Sequence, residues 1–120
     1  MNIKDQDKIE IKGKKVVVLG LALSGVSAAK LAIYKGASVF VSDQGNSQAL
    51  TNSFNILKKI GSKGELGKHS DKIYDAELWV ISPGIPQNSK LIQNARAKKI
   101  PIVSEIEFAS WYTEAPIIAI

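Results

Sequence analysis

The sequence of 120 residues contains no cysteine, which excludes disulfide bonds and thiolate metal sites. It also lacks any apolar run near the ~20 residues that a membrane-spanning helix needs. The first fifteen residues carry alternating charges and have no apolar centre of the kind found in secretory signal peptides. These absences predict a soluble, cytoplasmic protein that has no membrane partner.

Acidic residues are outnumbered by basic ones, and the formal net charge is +5. The lysines form two loose clusters, at 58–72 and at 90–99. A basic surface attracts nucleic acids, membranes or small anions. However, neither cluster is interleaved with the aromatic residues that a groove for single-stranded nucleic acid requires. We interpret the lysines as solvated surface residues and expect no nucleic-acid partner.

Short apolar segments alternate with amphipathic ones along the chain. Lys15–Leu19 is apolar on both faces, as is typical of a central strand in a parallel sheet. Residues 24–35 carry a broad apolar stripe and predict a helix, which Gly36 ends because glycine adopts a positive φ without strain. The alternation continues as strand 38–42, helix 46–60, a short strand within 61–75, strand 78–81, helix 88–99, strand 100–104 and helix 105–112.

This alternation implies right-handed crossovers between parallel strands. The predicted fold is α/β: a Rossmann-like, doubly wound, mainly parallel five-stranded sheet with helices on both faces. No internal repeat or low-complexity linker interrupts it, and 120 residues amount to one domain. After Pro116 comes a last apolar run, 117–120, which we expect to begin a further domain.

In an open parallel sheet, ligands bind beyond the carboxyl ends of the strands. The segment G-L-A-L-S-G, from Gly20 to Gly25, follows the first strand and opens the first helix. Glycine allows a tight turn, and a helix N-terminus offers free N–H groups and partial positive charge to an anion. The dinucleotide fingerprint G-x-G-x-x-G has glycine where this chain has Ala22, whose methyl group hinders a pyrophosphate. This departure weakens the prediction of NAD binding without removing it, and a turn without a ligand is the alternative.

Two further candidates follow later strands. Asp43 ends the second strand, where an acid in a dinucleotide site accepts hydrogen bonds from ribose hydroxyls. It could equally bind the base or sugar of a uridine nucleotide. The alternative is that Asp43 only forms a turn. The loop S-P-G-I-P at 82–86 is stiffened by two prolines, and Gly84 leaves its backbone amides accessible. That loop either holds a ligand or only ends the strand.

No nucleophile–base pair, metal cluster or Walker phosphate loop is present, so the residues predict binding without catalysis. His69 is the only histidine, and it has no acid or cysteine at metal-ligand spacing. We predict that it is a surface residue. Trp79 and Trp111 are assigned to the core. Glu105 and Glu107 are assigned to a helix start, where they favour the helix dipole.

Several segments in combination resemble the N-terminal domain of the Mur ligase family, in its D-glutamate-adding branch. They are V-V-V-L-G-L-A-L-S-G-V-S-A-A at 16–29, V-S-D at 41–43, I-S-P-G-I-P at 81–86, I-P-I-V-S-E-I-E-F-A at 100–109 and A-P-I-I-A-I at 115–120. Enzymes of this family use ATP and magnesium to phosphorylate a substrate carboxylate, and the amine of D-glutamate then displaces phosphate. The resemblance implies an N-terminal UDP-binding domain at 1–113. It implies that 114–120 form the first strand of a truncated central ATP-binding domain.

By the same resemblance, ATP and Mg²⁺ belong to the full-length enzyme, and this part of the chain holds no cofactor and no catalytic residue. Its ligand is the UDP part of UDP-N-acetylmuramoyl-L-alanine, and a monomer is expected. Leu23 and Ser24 would meet the diphosphate and sugar, and Asp43 and Gln44 the uracil end. Family members often have a basic or hydroxyl residue just after the acid, and Gln44-Gly45 departs from some of them. The full set of predicted site residues is Gly20, Leu23, Ser24, Gly25, Asp43, Gln44, Ser82, Pro83, Gly84 and Ile85.

Two other functions remain open at this point. The first is an NAD(P)-binding domain of a dehydrogenase or a nucleotide sensor, which predicts tight NADH binding. The second is a non-catalytic interaction module whose apolar tail pairs with a strand of a partner.

Overall fold

The computed structural model describes residues 8–113 and contains one five-stranded, fully parallel sheet. In chain order the elements are β1 (Lys15–Leu19), α1 (Leu23–Tyr34), β2 (Ser38–Asp43), α2 (Gln48–Lys59), β3 (Lys63–Leu66), a 3₁₀ turn (Asp71–Tyr74), β4 (Leu78–Ile81), α3 (Lys90–Ala97), β5 (Ile102–Ser104) and α4 (Glu105–Ser110).

The strands lie in the order β3-β2-β1-β4-β5. The chain therefore builds outward from β1 to β3, crosses back over the sheet, and continues on the other side through β4. The point where the direction reverses lies between β1 and β4, and crevices beyond the carboxyl ends of strands at such a point are where ligands bind in open α/β sheets. The segments that follow β1, β2 and β4 are therefore the candidate ligand-binding segments.

Each face of the sheet carries its own apolar core, because the strand side chains alternate between faces. On one face Val16 and Val18 pack with the buried alanines of α1 and with Phe108 of α4. On the other face Trp79 packs with Ile92 of α3. Helices cover both faces, so the predicted doubly wound α/β fold is confirmed.

Serine caps fix the starts of three helices. Ser47, Ser89 and Ser104 each accept a hydrogen bond from a backbone N–H in the first turn of α2, α3 and α4, which satisfies a group that a helix start leaves without a partner. The residue that precedes α1 is Ala22, which has no such side chain. The first turn of α1 therefore offers its N–H groups without a side-chain cap.

The predicted elements are all present, with shifted ends. Helix α3 begins after Ser89, two residues later than expected, because Ser89 is the cap. It ends early because Lys99 takes a left-handed φ of 61°. The short strand expected within 61–75 is β3, and Gly36 has the predicted positive φ, at 90°. The apolar run expected to begin another domain, within 114–120, lies outside the described residues.

Across residues 8–113, the helices are all too short or too polar to cross a membrane.

Candidate functional site

Three of the predicted segments meet at the carboxyl edge of the sheet. The N–H of Gly20 donates to the carbonyl of Ser42 at 2.9 Å, and the N–H of Ser82 donates to the carbonyl of Leu19 at 3.1 Å. A Cβ placed on Gly20 would lie only 2.9 Å from the Cβ of Ser82. Gly20 also has a φ of 100°, a conformation that side-chain-bearing residues rarely adopt. Glycine at this position lets the turn after β1 and the loop after β4 come together.

The Asp43 carboxylate ties the end of β2 to the turn after β1. Oδ2 accepts the N–H of Leu21 at 2.8 Å, and Oδ1 accepts the N–H of Gly45, also at 2.8 Å. The second bond is a local turn of the kind that Asp favours. Asp43 therefore acts as a turn former and also positions the glycine turn. Each carboxylate oxygen keeps a second lone pair that could accept a hydrogen bond from a ligand.

The start of α1 is packed closely on the turn after β1 and open to solvent on its outer side. A Cβ on Gly25 would lie 1.9 Å from the carbonyl oxygen of Gly20, so only glycine allows the helix to approach this closely. Leu23 is 89% exposed, and Ser24 is exposed as well. The uncapped N–H groups of this turn can therefore be reached by an anion.

The loop after β4 forms a compact turn. The N–H of Ile85 donates to the carbonyl of Ser82 at 3.1 Å, and the N–H of Gly84 donates to the Ser82 hydroxyl at 3.3 Å. Pro83 and Gly84 are exposed, as is Gln44 at the end of β2. The structure thus brings all three predicted segments to one edge of the sheet. Their roles toward a ligand stay predictions.

His69 differs from its sequence-based prediction. Expected to be a surface residue without a partner, it is half-buried, and its Nδ1 lies 2.7 Å from the Oγ of Ser42, a fully buried serine. The two residues are 27 positions apart and meet only because β2 and β3 pair in parallel and the chain folds back after β3. No local sequence signal indicates this contact.

Glu65 completes the polar cluster around Ser42. Its Oε2 accepts from the Ser42 hydroxyl at 3.0 Å and from the N–H of Ser70 at 2.7 Å, and its Oε1 accepts from the Ser70 hydroxyl at 2.5 Å. Burial raises the pKa of Glu65, but the hydrogen bonds from Ser70 and Ser42 outweigh it and hold the pKa below its ordinary value. The carboxylate is therefore ionised at neutral pH.

For His69, burial lowers the pKa, because it disfavours the charged imidazolium. The carboxylates of Asp43 and Glu65 act in the opposite direction but do not outweigh burial. The ring is neutral at neutral pH, because its pKa lies below the ordinary value of 6.5. Ser42, Glu65 and His69 are the members of this edge that sequence reasoning missed.

Glu105 is a second difference from the sequence-based predictions. Glu107 is exposed at the start of α4 as expected, but Glu105 is 5% exposed. Neither of its carboxylate oxygens has a hydrogen-bond partner among the residues that the structure describes. Its Oε2 lies 3.9 Å from the position that a Cβ on Gly25 would take. The carboxylate is thus buried between α4 and the start of α1.

Comparison with known proteins shows to which family the chain belongs. The family described as Mur ligase MurD-like, N-terminal domain, matches residues 14–104. The chain belongs to the Mur ligase family. It is 40% identical over 111 residues to the UDP-N-acetylmuramoylalanine–D-glutamate ligase of Chloroherpeton thalassium, a match that covers 92% of this chain and 24% of the relative. The chain thus spans about a quarter of the length of the curated relatives it matches.

Two solved ligases share the fold. A pseudomurein peptide ligase type C from Methanothermus fervidus superposes with a TM-score of 0.68 at 26% identity, over 87% of this chain and 21% of that chain. The UDP-N-acetylmuramate–alanine ligase of Thermotoga maritima gives a TM-score of 0.63, also at 26% identity, over 80% of this chain and 22% of that chain.

Dehydrogenases share the fold with less similarity of sequence. The precorrin-2 dehydrogenase SirC has a TM-score of 0.54 at 15% identity, over 92% of this chain and 51% of that chain. Such a likeness shows the fold alone. The dehydrogenase alternative is therefore less well supported than membership of the Mur ligases.

Proposed function

We propose that this domain binds the UDP part of UDP-N-acetylmuramoyl-L-alanine, as the N-terminal domain of an ATP-dependent ligase that adds D-glutamate in peptidoglycan synthesis. The observation that carries the proposal is the meeting of three loops at the carboxyl edge, next to the point where the strand order reverses. The similarity to ligases that are named for this reaction supports the choice of substrate.

The start of α1 suits the diphosphate. Its first turn has no side-chain cap and no acidic residue, and Leu23 and Ser24 leave it open to solvent. Partial positive charge and free N–H groups at a helix start stabilise a bound phosphate. Because the methyl of Ala22 limits how closely a ligand approaches, we propose that a UDP-sugar fits this turn better than a dinucleotide does.

Asp43 and Gln44 are proposed to meet the uridine end, and residues 82–85 to form the opposite wall. Gln44 is exposed, whereas Asp43 is held by two backbone N–H groups. The fixed carboxylate can accept a hydrogen bond from a uridine hydroxyl or N–H without first having to be ordered.

The rest of the reaction is assigned to other parts of the enzyme. We propose that residues 1–113 form the UDP-binding domain and that 114–120 form the first strand of a central ATP-binding domain. Among residues 8–113 no group of three or more His, Cys, Asp or Glu side chains could hold a metal ion. From the similarity to the ligases, ATP and Mg²⁺ are proposed to act in other domains of the full-length enzyme. A monomer in the cytoplasm is the proposed state.

The diphosphate position can be tested with one added charge. Ser24→Glu places a carboxylate in the first turn of α1, where it would repel the diphosphate. Ser27→Glu adds the same charge on an exposed position one turn further along. At about 4 Å, charge repulsion amounts to between ~1 and ~4 kcal/mol, and each ~1.4 kcal/mol weakens binding about tenfold.

We expect Ser24→Glu to weaken UDP binding at least tenfold in isothermal titration calorimetry, and Ser27→Glu to change it much less. Thermal unfolding checks that both variants are folded. Equal affinities for the two variants would place the diphosphate elsewhere.

A further inference from the structure

The loop that follows β3 folds over the end of β2 and brings His69 against Ser42, the residue before Asp43. The N–H of Gly67 donates to the carbonyl of Asp43 at 2.9 Å and to that of Gly45 at 3.0 Å. Two residues later, His69 reaches back to Ser42, the residue before Asp43. Burial lowers the pKa of the imidazole, and the charge of the Asp43 carboxylate acts in the opposite direction. The ring therefore lies at the same edge as the proposed uridine end of the site.

The hydrogen-bond network determines which nitrogen of His69 carries the proton. Ser42 has a single hydroxyl hydrogen and lies 3.0 Å from Glu65 Oε2 and 3.4 Å from the carbonyl of Lys68, both of which only accept. If that hydrogen pointed to His69 instead, two oxygens would face each other at 3.0 Å with no hydrogen between them. His69 Nδ1 must then supply the hydrogen of its 2.7 Å contact. The neutral ring is protonated on Nδ1, and Nε2 carries a lone pair.

The lone pair on His69 Nε2 can accept a hydrogen bond only from a donor. Nε2 makes no hydrogen bond to any residue between 8 and 113, and the side chain is only half-buried. An acceptor repels the oxygens of a phosphate, so it does not suit the diphosphate end. It suits a hydrogen-bond donor, and a uridine has such donors in the imide N–H of the base and in the ribose hydroxyls.

We propose that His69 is a further ligand-binding residue, whose Nε2 accepts a hydrogen bond from a donor on the nucleoside, while Ser42 and Glu65 hold the ring in the required tautomer. The inference rests on the proposed UDP binding, since it names a group that the same site would use. It assigns the buried Ser42–Glu65 pair a positioning role and not a contact with the ligand.

Two substitutions separate binding from a purely structural role. In His69→Asn the amide takes the place of Nδ1 and keeps a donor for Ser42, but nothing reaches the position of Nε2. In His69→Gln the longer side chain carries an amide oxygen near the position of Nε2 and loses the contact with Ser42. One net hydrogen bond is equivalent to roughly a tenfold change in affinity.

We expect His69→Asn to weaken UDP binding about tenfold and His69→Gln to weaken it less. The reverse order would overturn the proposal and leave His69 with a structural role only. Unfolding curves of both variants establish that they are folded at the temperature of the titration. UDP methylated at N3, 2′-deoxy-UDP and 3′-deoxy-UDP identify the donor: the analogue that lacks it should bind wild type and His69→Asn equally well.

Because His69 is the only histidine, its ring nitrogens give one set of signals in a long-range ¹H–¹⁵N spectrum. We expect Nδ1 protonated and Nε2 unprotonated in the free protein, with the Nε2 signal moving as UDP saturates the site. If UDP shifts the amides of 20–25 but leaves Nε2 unchanged, His69 is not a ligand residue, although the uridine site stands. If neither responds, the uridine site itself is wrong, and this inference fails with it.

Discussion

Gly25 provides the sharpest test of how closely α1 packs on the turn after β1. A Cβ at this position would lie 1.9 Å from the carbonyl oxygen of Gly20 and 2.9 Å from its carbonyl carbon. Real Cβ atoms essentially never come closer than 3.0 Å to such an atom. In Gly25→Ala the helix must therefore move by about 1 Å, because the clash is with backbone and no side chain can rotate away.

That movement would disturb the core on one face of the sheet. The buried alanines of α1, Ala28, Ala29 and Ala32, pack there with the β1 valines. Overpacking a well-packed interior costs typically 1–3 kcal/mol, occasionally more, and a backbone clash belongs at the upper end. We expect Gly25→Ala to lose about 3 kcal/mol of unfolding free energy, which corresponds to a fall in Tm of roughly 10 °C for a domain of this size.

The matched control is Gly84→Ala, a glycine of the same site in which the added Cβ meets nothing closer than the Ser82 hydroxyl at 3.8 Å. Its stability should stay within about 0.5 kcal/mol of wild type. Thermal unfolding followed by circular dichroism measures both variants. If Gly25→Ala melts at the wild-type temperature, the close contact between α1 and the turn after β1 is wrong, and with it the geometry that is proposed to hold the diphosphate.

Three further outcomes are expected. Trp79→Phe removes a buried 2.7 Å hydrogen bond from Nε1–H to the carbonyl of Ile73 and should cost about 2–3 kcal/mol in urea unfolding; a loss below about 0.5 kcal/mol would argue against that bond. Leu23→Ser, at an 89% exposed position, should leave Tm unchanged, and a fall of several degrees would mean that Leu23 packs in the fold. The pKa values of Glu65 and His69 are both lowered on folding, so the unfolded chain binds more protons, and stability should fall with acidification. The fall should begin below about pH 6.5 through His69 and continue below about pH 4.5 through Glu65. Urea unfolding at several pH values measures it, His69→Gln should remove the first part only, and a stability independent of pH between 7 and 4 would contradict both shifts.

The fold was predictable from the sequence because its strongest signals are local. The apolar strand Lys15–Leu19 and the alternation of strands with amphipathic helices depend on residue type and spacing alone. The helix ends were less predictable. Ser89 caps its helix, but it follows other polar residues, and the sequence does not show which of them is the cap.

The candidate site was predictable only in part. The segments at 20–25, 43–45 and 82–85 carry glycine, proline and acid at strand ends, which sequence alone can show. The cluster of Ser42, Glu65 and His69 depends on the register of β2 against β3 and on the return of the chain after β3. The burial of Glu105 depends on how α4 packs beside α1. Neither relation is encoded by a local pattern.

An NMR titration of the ¹⁵N-labelled chain shows whether a uridine nucleotide binds at the three converging loops. UDP-N-acetylmuramoyl-L-alanine, UDP and NADH would be added separately while the backbone amide signals are followed. We expect saturable shifts at 20–25, 43–45 and 82–85 with both uridine ligands. Shifts at these loops with NADH alone would contradict this expectation and favour the dehydrogenase alternative.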